Sequence, residues 1–278
     1  MSSYLRPTEL DEALEALSVG NRVIVAGGTD FYPARVGKSI KEDILDVTAI
    51  RGLRRIDQHG DYFHIGATAT WTDLIRADLP EWFSMLKQAA REVGGVQIQN
   101  AGTIVGNICN ASPAADGVPG LVALDASVVL GSVSGEREVS ITDFVEGNRK
   151  IARSSDEMVL GVNIPTFGAE ARSTFLKLGA RKYLVISIVM VSAVLEKSPD
   201  GRVKRLSVAV GSCSEVAKRL IALEADLAGR PADSSLSALI TEEHITPLSP
   251  IGDVRGSAEY RSDAALTLVR RAVAELTE

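Results

Sequence analysis

A chain of 278 residues with 45% hydrophobic and 24% charged residues has the make-up of an ordinary folded protein, long enough for more than one domain. Its net charge of −6 argues against nucleic acid as the main partner, because phosphate neutralisation needs clustered Lys and Arg. The two cysteines, Cys109 and Cys213, are too far apart for a CxxC pair and too few for a four-thiolate site, so any iron–sulfur cluster the protein works with must sit on another chain.

Met1 to Asp11 carries charges and has no apolar core segment, so no secretory signal is expected there, and a cytoplasmic location is expected. The longest apolar run, Tyr183 to Leu195, is too short for a membrane helix and reads as a buried strand. The N-terminal pattern is βαβ-like. Thr8 is placed to cap a helix with apolar Leu10, Ala13, Leu14 and Leu17, and strands follow at Arg22–Ala26 and Asp43–Val47. A strand at Tyr62–Gly66 leads to Thr70, a cap for a helix over Trp71–Ala77, and Glu81–Val93 reads as an amphipathic helix.

Gly94 to Asp116 is almost uncharged and dense in Gly, Asn, Ala and Ser, the composition of a loop. From Pro113 a helix is expected to about Ala126, then strands near Ser127–Leu130 and Met158–Ile164. Beyond a boundary at Pro165 to Ala171 come strands Ser173–Leu178, Ile186–Leu195 and Lys204–Gly211. Helices follow near Glu215–Leu227, Ser234–Glu243 and Ser257–Leu276. Strands followed by helices suggest a separate α+β unit.

Common signatures are missing. No GxGxxG follows a strand, there is no HExxH or GxSxG, and His59, His64 and His244 are scattered. Gly37-Lys38-Ser39 ends like a P-loop, but Tyr32 fills the required upstream glycine position.

Two glycine-bearing loops remain. Val25-Ala26-Gly27-Gly28-Thr29-Asp30 follows an apolar strand, and Gly102-Thr103-Ile104-Val105-Gly106-Asn107 lies in the uncharged stretch. Glycine lets main-chain N–H groups approach an anion, and successive N–H groups form anion-binding concavities. Two such loops can wrap a pyrophosphate, with Asp116 accepting from sugar or ribityl hydroxyls. Two tight turns are the plainer alternative, and spacing does not tell a dinucleotide from a phosphosugar.

At these residues the sequence resembles the medium, FAD-binding subunit of the xanthine dehydrogenase and carbon monoxide dehydrogenase family of molybdenum hydroxylases. Ala26-Gly27-Gly28-Thr29-Asp30 is similar to the family's AGGTD loop, and Ile65-Gly66-Ala67-Thr68 to its IGA strand end. The most specific match runs from Thr103 to Asp116, close to TIGGNIANASPAAD, and Phe175 to Lys182 resembles the strand that opens the family's C-terminal domain.

The resemblance implies an α+β fold: a two-lobed FAD-binding domain of PCMH type over 1–168, with α/β lobes at about 1–56 and 57–168, then an α+β domain of the CO dehydrogenase flavoprotein type over 169–278. It implies FAD contacts at Ile24, Val25, Ala26, Gly27, Gly28, Thr29, Asp30 and Phe31 around the pyrophosphate. Further contacts come from Thr103, Ile104, Val105, Gly106 and Asn107 of the second loop, Asp116 at the ribityl chain, Val93 at the adenine, and Val159 and Lys177 at the flavin edge. Tyr183 is a candidate to cover the flavin, or else a buried strand aromatic. No catalytic acid or base and no metal ligand is assigned to this chain.

The implied function is electron transfer. FAD takes electrons from [2Fe–2S] clusters of a small subunit, fed by a large molybdopterin subunit in a dimer of heterotrimers, and passes them to NAD, oxygen or another acceptor. A free-standing FAD-dependent oxidoreductase and a non-catalytic nucleotide-binding subunit are the alternatives. Two residues depart from the family pattern: Val105 replaces a second glycine, and Val93 cannot stack on adenine.

Overall fold

The computed structural model describes residues 2–278. A small parallel sheet comes first, with Ile44–Asp46 between Tyr4–Leu5 and Val23–Val25. Parallel strands need a crossover, and helix Leu10–Ser18 supplies it, burying Ala13, Leu14, Ala16 and Leu17. Thr8 is not its cap; Glu9 holds the N-cap position without a side-chain bond.

An antiparallel five-stranded sheet follows, in the order Ile56–His59, Tyr62–Gly66, Met158–Pro165, Ser127–Ser132, Gly135–Ser140. Thr70 caps helix Trp71–Arg76 as expected, through a reciprocal box with Asp73. The expected 81–93 helix is a 3₁₀ turn, Glu81–Phe83, running into helix Ser84–Glu92. The expected loop at 94–116 is largely helical, with short helices Val96–Ala101 and Ile104–Asn110. The next helix starts at Gly117 rather than Pro113 and ends at Ala123.

The last sheet is four-stranded and antiparallel: Arg172–Leu178, Val189–Lys197, Val203–Gly211 and the short edge strand Lys218–Arg219. Both of its faces are covered. Along Val189–Lys197, Met190 and Val194 belong to one apolar core, while Val189, Val191, Ala193 and Leu195 belong to a second. Side chains alternate across a strand, and burial of both faces explains an unbroken apolar run in the sequence. The long helix Ala258–Thr277, capped by Ser257, closes the second core with Ala265, Val269 and Val273. Helix Ser84–Glu92 holds the sheet from the other side: Met85 N–H donates to Ser173 Oγ at 2.9 Å, and Phe175 N–H to Gln88 Oε1 at 2.6 Å.

Three expectations here give way. Residues 183–188 precede the strand, and Tyr183 is exposed on a turn rather than buried. The helix expected from Glu215 begins at Ile221, because the preceding residues form the edge strand. The helix expected at 234–243 is two 3₁₀ turns, Leu236–Leu239 and Glu242–Ile245. Among the described residues no helix is long and apolar enough to cross a membrane.

Candidate cofactor site

The two glycine loops meet. Gly28 follows strand Val23–Val25 with φ +64°, a left-handed conformation that suits glycine. Gly27 is pressed on the other loop: a Cβ there would lie 1.9 Å from the Ala101 carbonyl oxygen. A Cβ on Gly102 would in turn lie 3.3 Å from Thr29 Oγ1. The chain therefore leaves no side chain between the loops, and their backbones form adjoining walls of one cavity of about 640 Å³.

All of Ile24 to Phe31 lines this cavity, together with Val93, Thr103, Val105, Gly106, Asn107 and Val159. The N–H groups of Gly27, Gly28 and Thr29 find no acceptor among the described residues. Thr103 also shapes the helix behind the wall: its Oγ1 accepts from Gly106 N–H at 2.9 Å and caps helix Ile104–Asn110. Asn107 Oδ1 accepts from Gly117 N–H at 3.3 Å, tying that helix to the next. Val105 is buried in the core as well as bordering the cavity.

Three of the residues expected at the cofactor do not line the cavity. Ile104 is fully buried and its N–H donates to Ala69 O at 3.1 Å. Asp116 and Lys177 are engaged with each other: Lys177 Nζ donates to Asp116 Oδ2 at 2.7 Å, and Ser187 Oγ donates to Asp116 Oδ1 at 2.6 Å. Burial pushes the Asp116 carboxyl above its ordinary range, and Lys177 and Ser187 oppose that rise. Lys177 borders a different cavity, beside Arg91, Arg181 and Lys182. Tyr183 lines neither.

The structure also adds residues that no motif marked. Arg22, Arg35 and Arg153 border the main cavity. Arg35 lies over the Phe31 ring at 3.8 Å and pairs with Glu42 at 2.7 Å. Such arginines come from three separate segments, so only the fold collects them. Free peptide N–H groups and guanidinium groups around the cavity suit a dianionic pyrophosphate, while the absent Cβ lets Gly27 close on Ala101 and Gly28 on the Tyr32 ring.

A cleft of this kind between an α/β lobe and an antiparallel-sheet lobe, with free peptide N–H groups on its wall, suits a dinucleotide cofactor. Residues 1–167 match the family model described as FAD binding domain in molybdopterin dehydrogenase, and residues 174–276 match the CO dehydrogenase flavoprotein C-terminal domain. The FAD-subunit of nicotinate dehydrogenase from Eubacterium barkeri is 37% identical over 198 residues, 67% of this chain and 66% of that protein. The medium chain of glyceraldehyde dehydrogenase from Sulfolobus acidocaldarius is 27% identical over 277 residues, 99% of this chain and 98% of that one.

Among solved structures, carbon monoxide dehydrogenase from Hydrogenophaga pseudoflava superposes with a TM-score of 0.88 at 27% identity, covering 99% of this chain and 96% of that one. Quinoline 2-oxidoreductase from Pseudomonas putida 86 gives 0.89 at 25%, covering 100% and 97%. The chain belongs to the family of FAD-binding medium subunits of the molybdenum hydroxylases. It is an oxidoreductase flavoprotein, and its cofactor is FAD.

Proposed function

We propose that this chain transfers electrons within a molybdenum hydroxylase, receiving them from [2Fe–2S] clusters on a small partner subunit and passing them to an external acceptor such as NAD or oxygen. Molybdopterin belongs, in this reading, to a large partner subunit, and the assembly is a dimer of heterotrimers in the cytoplasm. The chain divides at 168/169, with lobes meeting near 56/57. The observation that carries the reading is the single cavity walled by two touching glycine loops with free peptide N–H groups. The relatives' names, with their medium chains and FAD-subunits, support the division of labour.

Bound flavin supplies the redox chemistry, and the protein supplies position and electrostatics. Residues Ile24 to Phe31 offer backbone donors to the pyrophosphate. Thr103, Gly106 and Asn107 shape the facing wall, Val93 borders the adenine and Val159 the flavin edge. Ile104 supports the wall from behind. In this reading Asp116 also accepts from the ribityl chain and Lys177 also donates at the flavin edge, since a paired carboxylate keeps free lone pairs and a paired ammonium keeps free N–H donors.

Purification of the tagged chain from its native host tests this function. It should bring down a molybdopterin subunit and a [2Fe–2S] subunit, and substrate should bleach the flavin absorption. A colourless, partner-free chain would overturn the reading.

A further inference from the structure

The geometry points to Arg149 as a positioning residue that fastens the two walls of the cofactor cleft together and slows FAD release; the inference rests on the FAD reading above. Asp30 and Asn110 both line the cleft, one from each wall. Arg149 Nη1 donates to Asp30 Oδ2 at 3.1 Å, to Asn110 O at 3.2 Å and to Asn110 Oδ1. One guanidinium nitrogen thus joins the first glycine loop to the last turn of the helix that carries the second. A second ion pair, Arg54–Asp73 at 2.8 Å, lies beside the covalent link between the lobes, whereas Asp30 and Arg149 are 119 positions apart.

The backbone is arranged to deliver this side chain. Arg149 sits in the turn between strands Val145–Gly147 and Lys150–Ile151 with φ +60°, and Ala111 ends the helix Ile104–Asn110 with φ +46°. Neither residue type favours the left-handed region. The two are bonded to each other, Arg149 N–H donating to Ala111 O at 2.8 Å. Asn148 N–H also donates to Glu215 Oε1 at 3.2 Å, anchoring the same turn to the C-terminal part of the chain. Unfavourable backbone conformations persist where surrounding contacts over-determine them, and they cluster at functional sites. Both members of the ion pair are more than half exposed, Arg149 at 53% and Asp30 at 60%, so the fastening is weak enough to open and is screened by salt.

The test is the rate of FAD release from the loaded full chain, followed by the return of free-flavin fluorescence after dilution, at low and at high salt. Arg149→Asn removes the guanidinium while keeping a residue that tolerates the left-handed conformation. At low salt it should release FAD about two- to fivefold faster, the range an exposed ion pair commands. High salt should accelerate release from the parent more than from Arg149→Asn, whose remaining salt response comes from the pyrophosphate itself, and Arg149→Lys should restore part of the difference. Asp30→Asn should behave like Arg149→Asn, and the double variant no worse than either single one, as coupled partners require. Asp30→Asn also leaves the Arg149 turn intact, so it carries the test should Arg149→Asn not fold. Parent-like release from the single variants, or a double variant equal to the product of the two, would overturn the fastening role and leave the FAD reading standing. A parent chain that holds no FAD would overturn both.

Discussion

Replacing Gly27 by alanine forces apart two stretches of backbone that now touch. The new Cβ would lie 1.9 Å from Ala101 O and 2.6 Å from Ala101 C, where ordinary contact begins at 3.4 Å. The loops must separate by about 1.5 Å (3.4 − 1.9) to restore it. No rotamer change relieves the clash, because the atoms met are main-chain. Overpacking of this kind costs roughly 1–3 kcal/mol. If the strain falls on the loaded state, FAD affinity drops about 5- to 150-fold, at about 1.4 kcal/mol per factor of ten. If it falls equally on the free and the loaded chain, the affinity is unchanged and the melting temperature drops instead. Gly20→Ala is the control, since a Cβ there meets nothing within 4 Å. Quenching of flavin fluorescence gives the affinity, and thermal unfolding gives the stability. A Gly27→Ala chain matching the parent in both would refute the idea that the loops must touch to build the cleft.

Three further outcomes follow from the side-chain geometry. Lys177→Met strands the Asp116 carboxylate with only Ser187 as partner, so urea unfolding should show a loss of about 3–5 kcal/mol, partly recovered by adding Asp116→Asn; a loss below about 1 kcal/mol would mean the two do not act as a buried pair. Thr103→Ala removes the acceptor for Gly106 N–H and should cost about 0.5–2 kcal/mol, with Thr103→Ser close to the parent. Arg137 holds the Glu157 carboxyl down, from 4.5 to about 2. A carboxylate lowered by folding stabilises fully above its unfolded value and loses that contribution as pH falls toward the folded one. The parent should therefore exceed Glu157→Gln by about 1.5–3 kcal/mol at neutral pH, and the gap should close between pH 4.5 and 2; a gap independent of pH would contradict it.

Much of the architecture was legible because local rules and tertiary packing agree. The cap at Thr70, the apolar face of Leu10–Ser18 and the long helix after Ser257 each follow from side-chain spacing. The 94–116 stretch misled because glycine and asparagine suggest a loop, yet Thr103 caps a helix and burial of Ile104, Val105 and Ile108 holds it. The strands Tyr4–Leu5, Ile56–His59 and Gly135–Ser140 were missed because they are short or polar and exist only through their neighbours.

At the site, the glycines announced a close approach but not what they approach. That Gly27 faces Ala101 is a tertiary fact. Asp116 and Lys177 were assigned by resemblance to direct contact, and their mutual pairing across 61 positions is invisible in either motif. Arg22, Arg149 and Arg153 had no local pattern at all.

The most direct measurement is the visible spectrum of the full chain after mixing with FAD and desalting, taken beside Gly27→Val. Flavin absorption should be retained at one FAD per parent chain and lost or much weakened in the variant. Retention of FAD by Gly27→Val at the parent's level would contradict a cofactor cleft built from these two loops.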